Sequence, residues 1–282
     1  MALPSSGTLT IADIAGEFGG SAPHALSEYY RGGSLVPNVS QNNSVPTSGA
    51  ISISDFYGAT NYVALSILGN TTWVTGNTSS TTSSQSVSIP AGTKSVVIMG
   101  GVGTNGYRHT RHTGASLGGV ALTEVISKNN ALAEYTFDSA IYAGNTSLTG
   151  TQTAAMTYTN AQANYGSGHM IIFLSKPFNS FTASSSNSVA TTGNPATLSL
   201  TAFGEGLQLG TATVRGLNTI TNMSTVTGLT QGDSRNSIYG FQISSGSYNV
   251  SSSLSTSASN ISNDFGETFV AATFAPTKFD EV

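Results

Sequence analysis

The sequence lacks cysteine and holds little charge of either sign. Without thiols the chain has no disulfide bonds and no thiolate ligands for zinc. Only 8% of its 282 residues are charged, whereas an ordinary soluble domain has about 25%. With 9 Lys and Arg residues in all, no basic surface is available to bind the backbone of a nucleic acid. No apolar run reaches the roughly 20 residues of a membrane-spanning helix, so we expect no membrane insertion.

Hydroxyl-bearing and small residues take the place of charges. Ser and Thr account for 81 residues and Gly for 32, while hydrophobic residues make up 38% and fall in short, regular clusters. A chain of this length buries about three quarters of its unfolded surface when it folds. We therefore expect a folded protein whose surface is hydrated mainly through hydroxyl and amide groups, a composition typical of all-β proteins that form assemblies.

The first 60 residues contain an internal repeat. PSSGTLTIADI at 4–14 matches PTSGAISISDF at 46–56, and LSEYY at 26–30 parallels ISDFY at 53–57. The Pro-Ser-Ser-Gly stretch predicts a turn, and the residues after it predict a short helical turn. The sequence therefore predicts an N-terminal arm over 1–60 with short helical turns.

The polar residues of this arm suggest how each helical turn begins. Thr10 with Asp13, and Ser27 or Ser54 in the other units, are candidate caps. Residues 34–48 are expected to form an extended polar linker. Because the arm is short and interrupted, we expect it to lack a large core and to bury its apolar residues against a partner, another copy or the following domain.

From about residue 61 the pattern changes to short β-branched and aromatic runs separated by Gly, Asn, Ser or Pro. The predicted strands are 62–68, 71–75, 85–89, 95–100, 119–126, 139–143, 151–159, 169–174, 196–201, 206–214, 237–243, 247–254 and 267–274. The fold class is therefore mainly β, with an antiparallel β-sandwich or jelly-roll-like domain over 61–282. Residues 182–195 read as a long loop or as a soft boundary within that domain.

Two short motifs match patterns found in nucleotide-binding proteins and in hydrolases. The stretch 101–106 fits GxGxxG, but no helix is predicted after it, and a dinucleotide site requires one. Ser116 lies in a GxSxG pattern, with Asp138 and His169 following in hydrolase order, yet the next segment reads as a strand. We expect no enzyme and no cofactor, and a glycan hydrolase or esterase stays open as an alternative.

Basic and aromatic residues are concentrated in one predicted loop. Tyr107, Arg108, His109, Arg111 and His112 lie within six positions. They predict an exposed loop, or a contact with an anion or glycan through the Arg donors and the Tyr ring. The two histidines lack an evident third ligand nearby, so no metal site is predicted.

The N-terminal phrases PSSGTLTIADI, LSEYYRGG and VPTSGAISISDFYG resemble a segment of virion structural and tail proteins of tailed bacteriophages. The later stretches 116–125, 140–142 and 151–158 loosely look like β-sandwich modules of phage tail fibres. This resemblance implies that the arm docks onto the virion through buried apolar side chains. The candidate docking residues are Ile14, Phe18, Tyr29, Tyr30, Phe56 and Tyr57.

The resemblance also sets expectations for partners and location. It implies a tail fibre or related appendage, assembled in the host cytoplasm and located in the virion. Its partners would be other virion proteins and further copies of the chain, with a trimer favoured. The alternative is a carbohydrate-binding module that recognises a host surface glycan.

Overall fold

The computed structural model describes residues 2–63, 65–75, 80–105, 110–132, 135–160, 166–178, 181–188, 196–201, 207–215, 224–227, 237–245, 253–258, 267–275 and 277–278. Its helical part consists of helix α1 (Ile11–Phe18) and the 3-10 turns Leu26–Glu28, Ser40–Asn42 and Ile53–Phe56. Within these ranges no helix has the length and apolar character needed to cross a membrane.

Seventeen strands make up the rest of the described secondary structure. They are β1 (Tyr62–Val63), β2 (Ile67–Thr75), β3 (Thr82–Ile89), β4 (Ser95–Asn105), β5 (His112–Leu117), β6 (Val120–Leu132), β7 (Tyr135–Asn145), β8 (Gly150–Tyr158), β9 (Gly166–Leu174), β10 (Phe181–Ser188), β11 (Ala196–Thr201), β12 (Leu207–Arg215), β13 (Ser224–Thr227), β14 (Ser237–Ser245), β15 (Ser253–Ala258), β16 (Glu267–Phe274) and β17 (Thr277–Lys278). The prediction of a mainly β protein is confirmed.

The N-terminal segment, residues 2–60, has a hydrophobic core of its own. Its centre is a set of three aromatic rings, Phe18, Tyr29 and Phe56, whose centroids lie 6.1 to 6.5 Å apart. Such tilted and edge-to-face pairs add to the gain from burial. Leu3, Leu9, Ile14, Val36, Val45 and Ala59 complete the cluster. The expectation that the apolar residues of this segment bury against a partner, another copy or the following domain was wrong, because they pack on one another around the three rings.

The repeat is visible in the way its helical turns begin. The Thr10 amide donates to Asp13 Oδ2 at 2.8 Å, and the Ser52 amide donates to Asp55 Oδ2 at 2.7 Å. The hydrogen bonds from Thr10 lower the pKa of Asp13. Thr10 is thus confirmed as a cap, whereas the predictions for Ser27 and Ser54 were wrong. Ser52 is the repeat partner of Thr10, and the turn containing Ser27 begins at Ala25, which has no capping side chain.

Residues 34–48 do not form the predicted extended linker. Val36 and Val45 are fully buried in the N-terminal core. The Asn42 side chain, also buried, donates to the carbonyls of Pro37 (3.0 Å) and Thr60 (2.9 Å) and accepts from the Thr60 amide (2.8 Å). The segment folds back around this one buried side-chain amide, which hydrogen bonds to three backbone groups and pairs both the amide and the carbonyl of Thr60.

The largest sheet has eight antiparallel strands in the order β2-β9-β4-β7-β6-β5-β8-β3. Its two end strands come together, since Trp73 Nε1 on β2 donates to Ser83 Oγ on β3 at 2.9 Å. The sheet is therefore nearly closed into a barrel. Alternate residues of β4, such as Val96 and Ile98, point into the barrel core.

A second antiparallel sheet, in the order β10-β16-β12-β14-β13, packs on the outside of the barrel. Val97 and Met99 of β4 face Leu207, Leu209 and Phe274 across this interface. The run 96–99 is continuously apolar because both of its faces are buried. A polar link crosses the same interface, where Ser139 Oγ lies 2.8 Å from both Thr213 Oγ1 and Thr268 Oγ1.

Most predicted strands correspond to observed ones, and β5, β10, β13 and β17 were missed. Part of the stretch read as a loop, 182–188, belongs to β10, while 189–195 lies outside the described residues. Residues 101–105 of the GxGxxG pattern continue β4, so the strand–turn–helix arrangement of a dinucleotide site is not formed there. The division of the chain at residue 60 stays a prediction.

Candidate functional site

The interior of the barrel contains an unusual group of polar side chains at one end. This histidine cluster consists of His112 at the start of β5, Asp138 on β7, Tyr158 at the end of β8 and His169 near the start of β9. All four residues are buried. Antiparallel pairing brings them together, because β5 and β8 are neighbours and β4 separates β7 from β9.

The first pair in the cluster is His112 and Asp138. Asp138 Oδ1 accepts a hydrogen bond from the His112 amide at 3.1 Å and is also hydrogen bonded to His112 Nδ1. The carboxylate thus fixes the orientation of the imidazole and leaves Nε2 as its free nitrogen. No hydrogen-bond partner for Nε2 exists among the described residues.

The second pair is His169 and Tyr158, whose Nε2 and hydroxyl oxygen lie 2.8 Å apart. His169 Nδ1 is buried without a partner in the described part of the chain. Burial, reinforced by the nearby His112, holds the pKa of His169 well below its usual range. His169 is therefore a neutral imidazole at pH 7.

Two features of the barrel make room for His169. Gly100 on β4 lies directly against it, and a Cβ atom at position 100 would lie 2.4 Å from His169 Cδ2. On the other side, the Trp73 ring lies over the imidazole at a centroid distance of 5.0 Å and a tilt of 31°. The His112 ring meets His169 edge to face at 5.8 Å.

The cluster adjoins the place where the barrel closes, which we call the seam. The seam consists of Trp73 and Thr75 on β2 and Ser83 on β3. Ser83 Oγ accepts from Trp73 Nε1 and is hydrogen bonded to Thr75 Oγ1. No backbone ladder joins β2 to β3 within their described residues.

The predicted hydrolase residues are not brought together. Ser116 is half-buried on β5, and its neighbours Ala115 and Leu117 point into the barrel core. Because side chains alternate along a strand, Ser116 faces away from that core. Asp138 pairs with His112, and His169 pairs with Tyr158. Among the described residues, Ser116 is therefore not assembled with the predicted Asp138 and His169 into a hydrolase triad.

The predicted basic loop is divided by the structure. Tyr107, Arg108 and His109 lie outside the described residues. Arg111 is exposed, and its amide donates to Thr159 Oγ1 at 3.2 Å. The expectation that His112 belongs to an exposed loop was wrong, because Asp138 holds it inside the barrel.

The six candidate docking residues of the N-terminal segment fall into two groups. Four are buried in its own core, namely Ile14, Phe18, Tyr29 and Phe56. The other two, Tyr30 and Tyr57, are half-buried at equivalent positions of the repeat. The Tyr30 hydroxyl donates to the Gly49 carbonyl, and the Tyr57 hydroxyl donates to the Gly7 carbonyl. Each tyrosine thus reaches the Pro-Ser/Thr-Ser-Gly turn of another unit and leaves part of its ring accessible.

Sequence reasoning named three members of the histidine cluster, His112, Asp138 and His169, but did not place all three together. One signal was available, since His169 opens the apolar strand run 169–174, where a charged imidazole would be costly. The pairing of His112 with Asp138 joins residues 26 positions apart on strands that are not consecutive in the chain. Among the described residues, no group of His, Asp and Glu has the geometry of a metal site.

Comparison with protein-family models, with curated proteins and with solved structures finds no match to this chain.

Proposed function

We propose that this protein is a structural component of a tailed-bacteriophage virion, most simply a tail fibre or related appendage. The N-terminal segment would attach it to the particle, and the β domain would project outward. The observation that supports this most strongly is the compact N-terminal segment with its own core, built from a repeated turn and helical motif that resembles phage virion proteins.

The structure changes which residues of this segment are suited to docking. Ile14, Phe18, Tyr29 and Phe56 already pack within one chain. The attachment surface would instead include the accessible edges of Tyr30 and Tyr57 and the two repeat turns that they contact. Tyrosine combines a large apolar ring with a polar end, which suits a partly hydrated interface.

The proposed docking surface is tested by complementation of a phage that lacks this gene. Full-length protein is supplied as wild type, as the double variant Tyr30→Ala/Tyr57→Ala, or as the control variant Val120→Ser. Val120 is 53% exposed on the β domain. We expect the double variant to be folded but depleted from purified particles, with the control incorporated normally. Normal incorporation of a folded double variant would contradict the docking surface.

A glycan-recognition role is the second candidate, and one surface favours it. The outer face of β3 and β8 is exposed and free of charge, and it carries Ser84, Ser86, Ser88, Thr151 and Thr153. Hydroxyl groups arranged in this way can donate and accept hydrogen bonds with a neutral polysaccharide.

Binding of the full-length protein to host surface polysaccharide tests this second role. The variant Ser86→Lys/Thr153→Lys places two charges on a cross-strand pair of the hydroxyl face, and Arg111→Ala changes the exposed residue at the barrel end. Loss of binding in either variant, with the fold intact, would support adhesion. Absence of binding by the wild-type protein would exclude it for that polysaccharide.

A further inference from the structure

The histidine cluster contains two imidazoles and a single carboxylate. The groups that face His169 are Trp73 from β2, Gly100 from β4, His112 from β5 and Tyr158 from β8. Asp138 faces His112 from β7. Among the described residues that contact the two imidazoles, Asp138 is the only acidic one.

One carboxylate can balance one positive charge. A proton on His112 would form an ion pair with Asp138, to which Nδ1 is already hydrogen bonded. A proton on His169 would have no counter-charge within hydrogen-bonding distance among the described residues and would lie beside a second imidazole. A buried, unbalanced charge is strongly disfavoured, so protonation of His169 requires water to reach it.

The seam lies beside His169, so its opening would let water reach the imidazole. Trp73 covers the His169 ring and is also the residue that joins β2 to β3 through Ser83. Every other pair of neighbouring strands in the barrel is held by a backbone ladder, whereas the seam depends on side-chain hydrogen bonds. We propose that the histidine cluster is an acid-sensitive latch, which keeps the seam closed while His169 is neutral and opens the seam when His169 is protonated.

The only tryptophan of the chain reports directly on this latch. The full-length protein is titrated from pH 8 to about pH 4, across the range in which histidine ionises. Trp73 emission, its quenching by acrylamide, and far-UV circular dichroism are recorded in parallel. We expect a reversible red shift and stronger quenching at acid pH while the circular dichroism is retained.

Hydrogen exchange measures how strongly the opening of the seam depends on pH. If opening takes up one proton, the opening constant rises about tenfold per pH unit below the ordinary histidine pKa. After correction for intrinsic exchange rates, protection of seam amides in β2 and β3 should fall by that factor. Amides of β4, in the centre of the sheet, should keep their protection over the same range.

Three variants separate the latch from general acid unfolding. His169→Gln should abolish the Trp73 transition, whereas His24→Gln, in the N-terminal segment, should leave its midpoint unchanged. Ser83→Ala removes the acceptor of the Trp73 hydrogen bond without touching either imidazole. Because Ser83→Ala weakens the closed state, it should move the midpoint of the Trp73 transition to higher pH. This variant therefore tests the latch even if His169→Gln does not fold.

Several results would overturn the proposal. One is a Trp73 signal that stays constant down to about pH 4, where histidines are fully protonated in water. Another is a transition that coincides with loss of the circular dichroism signal. A transition with the same midpoint in His169→Gln or in Ser83→Ala would do so as well.

Discussion

Replacement of Gly100 by alanine probes the packing under the histidine cluster most sharply. The added Cβ would lie 2.4 Å from His169 Cδ2, 2.5 Å from the Gly168 carbonyl oxygen and 3.0 Å from His169 Cα. Two of these three atoms belong to the backbone of β9, so a change of rotamer cannot relieve the contact. Position 100 has no positive φ angle, and the strain would therefore come from overpacking and not from backbone conformation.

The expected loss of stability in Gly100→Ala follows from the atoms that the new Cβ would meet. Inserting a methyl group into a well-packed core typically costs about 1–3 kcal/mol. Because the clash at Gly100 involves a neighbouring strand, we expect a loss of about 3 kcal/mol in the free energy of unfolding, at the upper end of that range. A displaced His169 would also move away from Trp73. The centroids of the two rings lie 5.0 Å apart in the native barrel.

Urea unfolding followed by Trp73 fluorescence measures this loss. The matched control is Gly16→Ala in α1, where an added Cβ has no neighbouring atom within 4 Å. Alanine is favoured over glycine inside a helix by about 0.5–1 kcal/mol, so the control should not lower the urea midpoint. A Gly100→Ala protein as stable as the wild type would refute the close approach of β4 and β9.

Three further predictions address other parts of the molecule. Asn42→Ala should lower the unfolding free energy by about 2–4 kcal/mol, because it removes the side chain that pairs the buried amide and carbonyl of Thr60; an unchanged thermal midpoint would contradict this role. The pKa of His169 is lower in the folded than in the unfolded chain, so its stabilising contribution is complete above about pH 6.5 and declines as the pH falls, by up to about 1.4 kcal/mol per pH unit. A pH-stability profile in which His169→Gln keeps the same slope would disprove this link. The full-length chain should form a trimer by light scattering, and a monomer at high concentration would contradict the expected oligomer.

The β content could be predicted because its pattern is local. Alternation such as Ser86-Val87-Ser88 marks β3, and the continuous apolar run 96–99 marks a strand buried on both faces. β5 was missed because its start was read as part of a basic loop and because Gly114 lies next to a register shift. β10 was missed because 182–188 is rich in serine and has only one β-branched residue, Thr182, of the kind that signals a strand.

The interior of the molecule was harder to infer, for two physical reasons. His112 was assigned to the surface by its neighbour Arg111, but burial alternates along a strand, so adjacent residues take opposite environments. The N-terminal core depends on contacts between Phe18, Tyr29 and Phe56, which are distant in sequence. A count of apolar residues does not show whether three rings converge on one point.

The measurement that tests the central claim most directly is mass spectrometry of density-purified particles from a phage that carries this gene. The account predicts that peptides from both the N-terminal segment and the β domain are found with the particles, at a constant ratio to known virion proteins across the density band. Peptides present only in the soluble fraction of the lysate would show that the protein is not part of the virion and would contradict the proposed function.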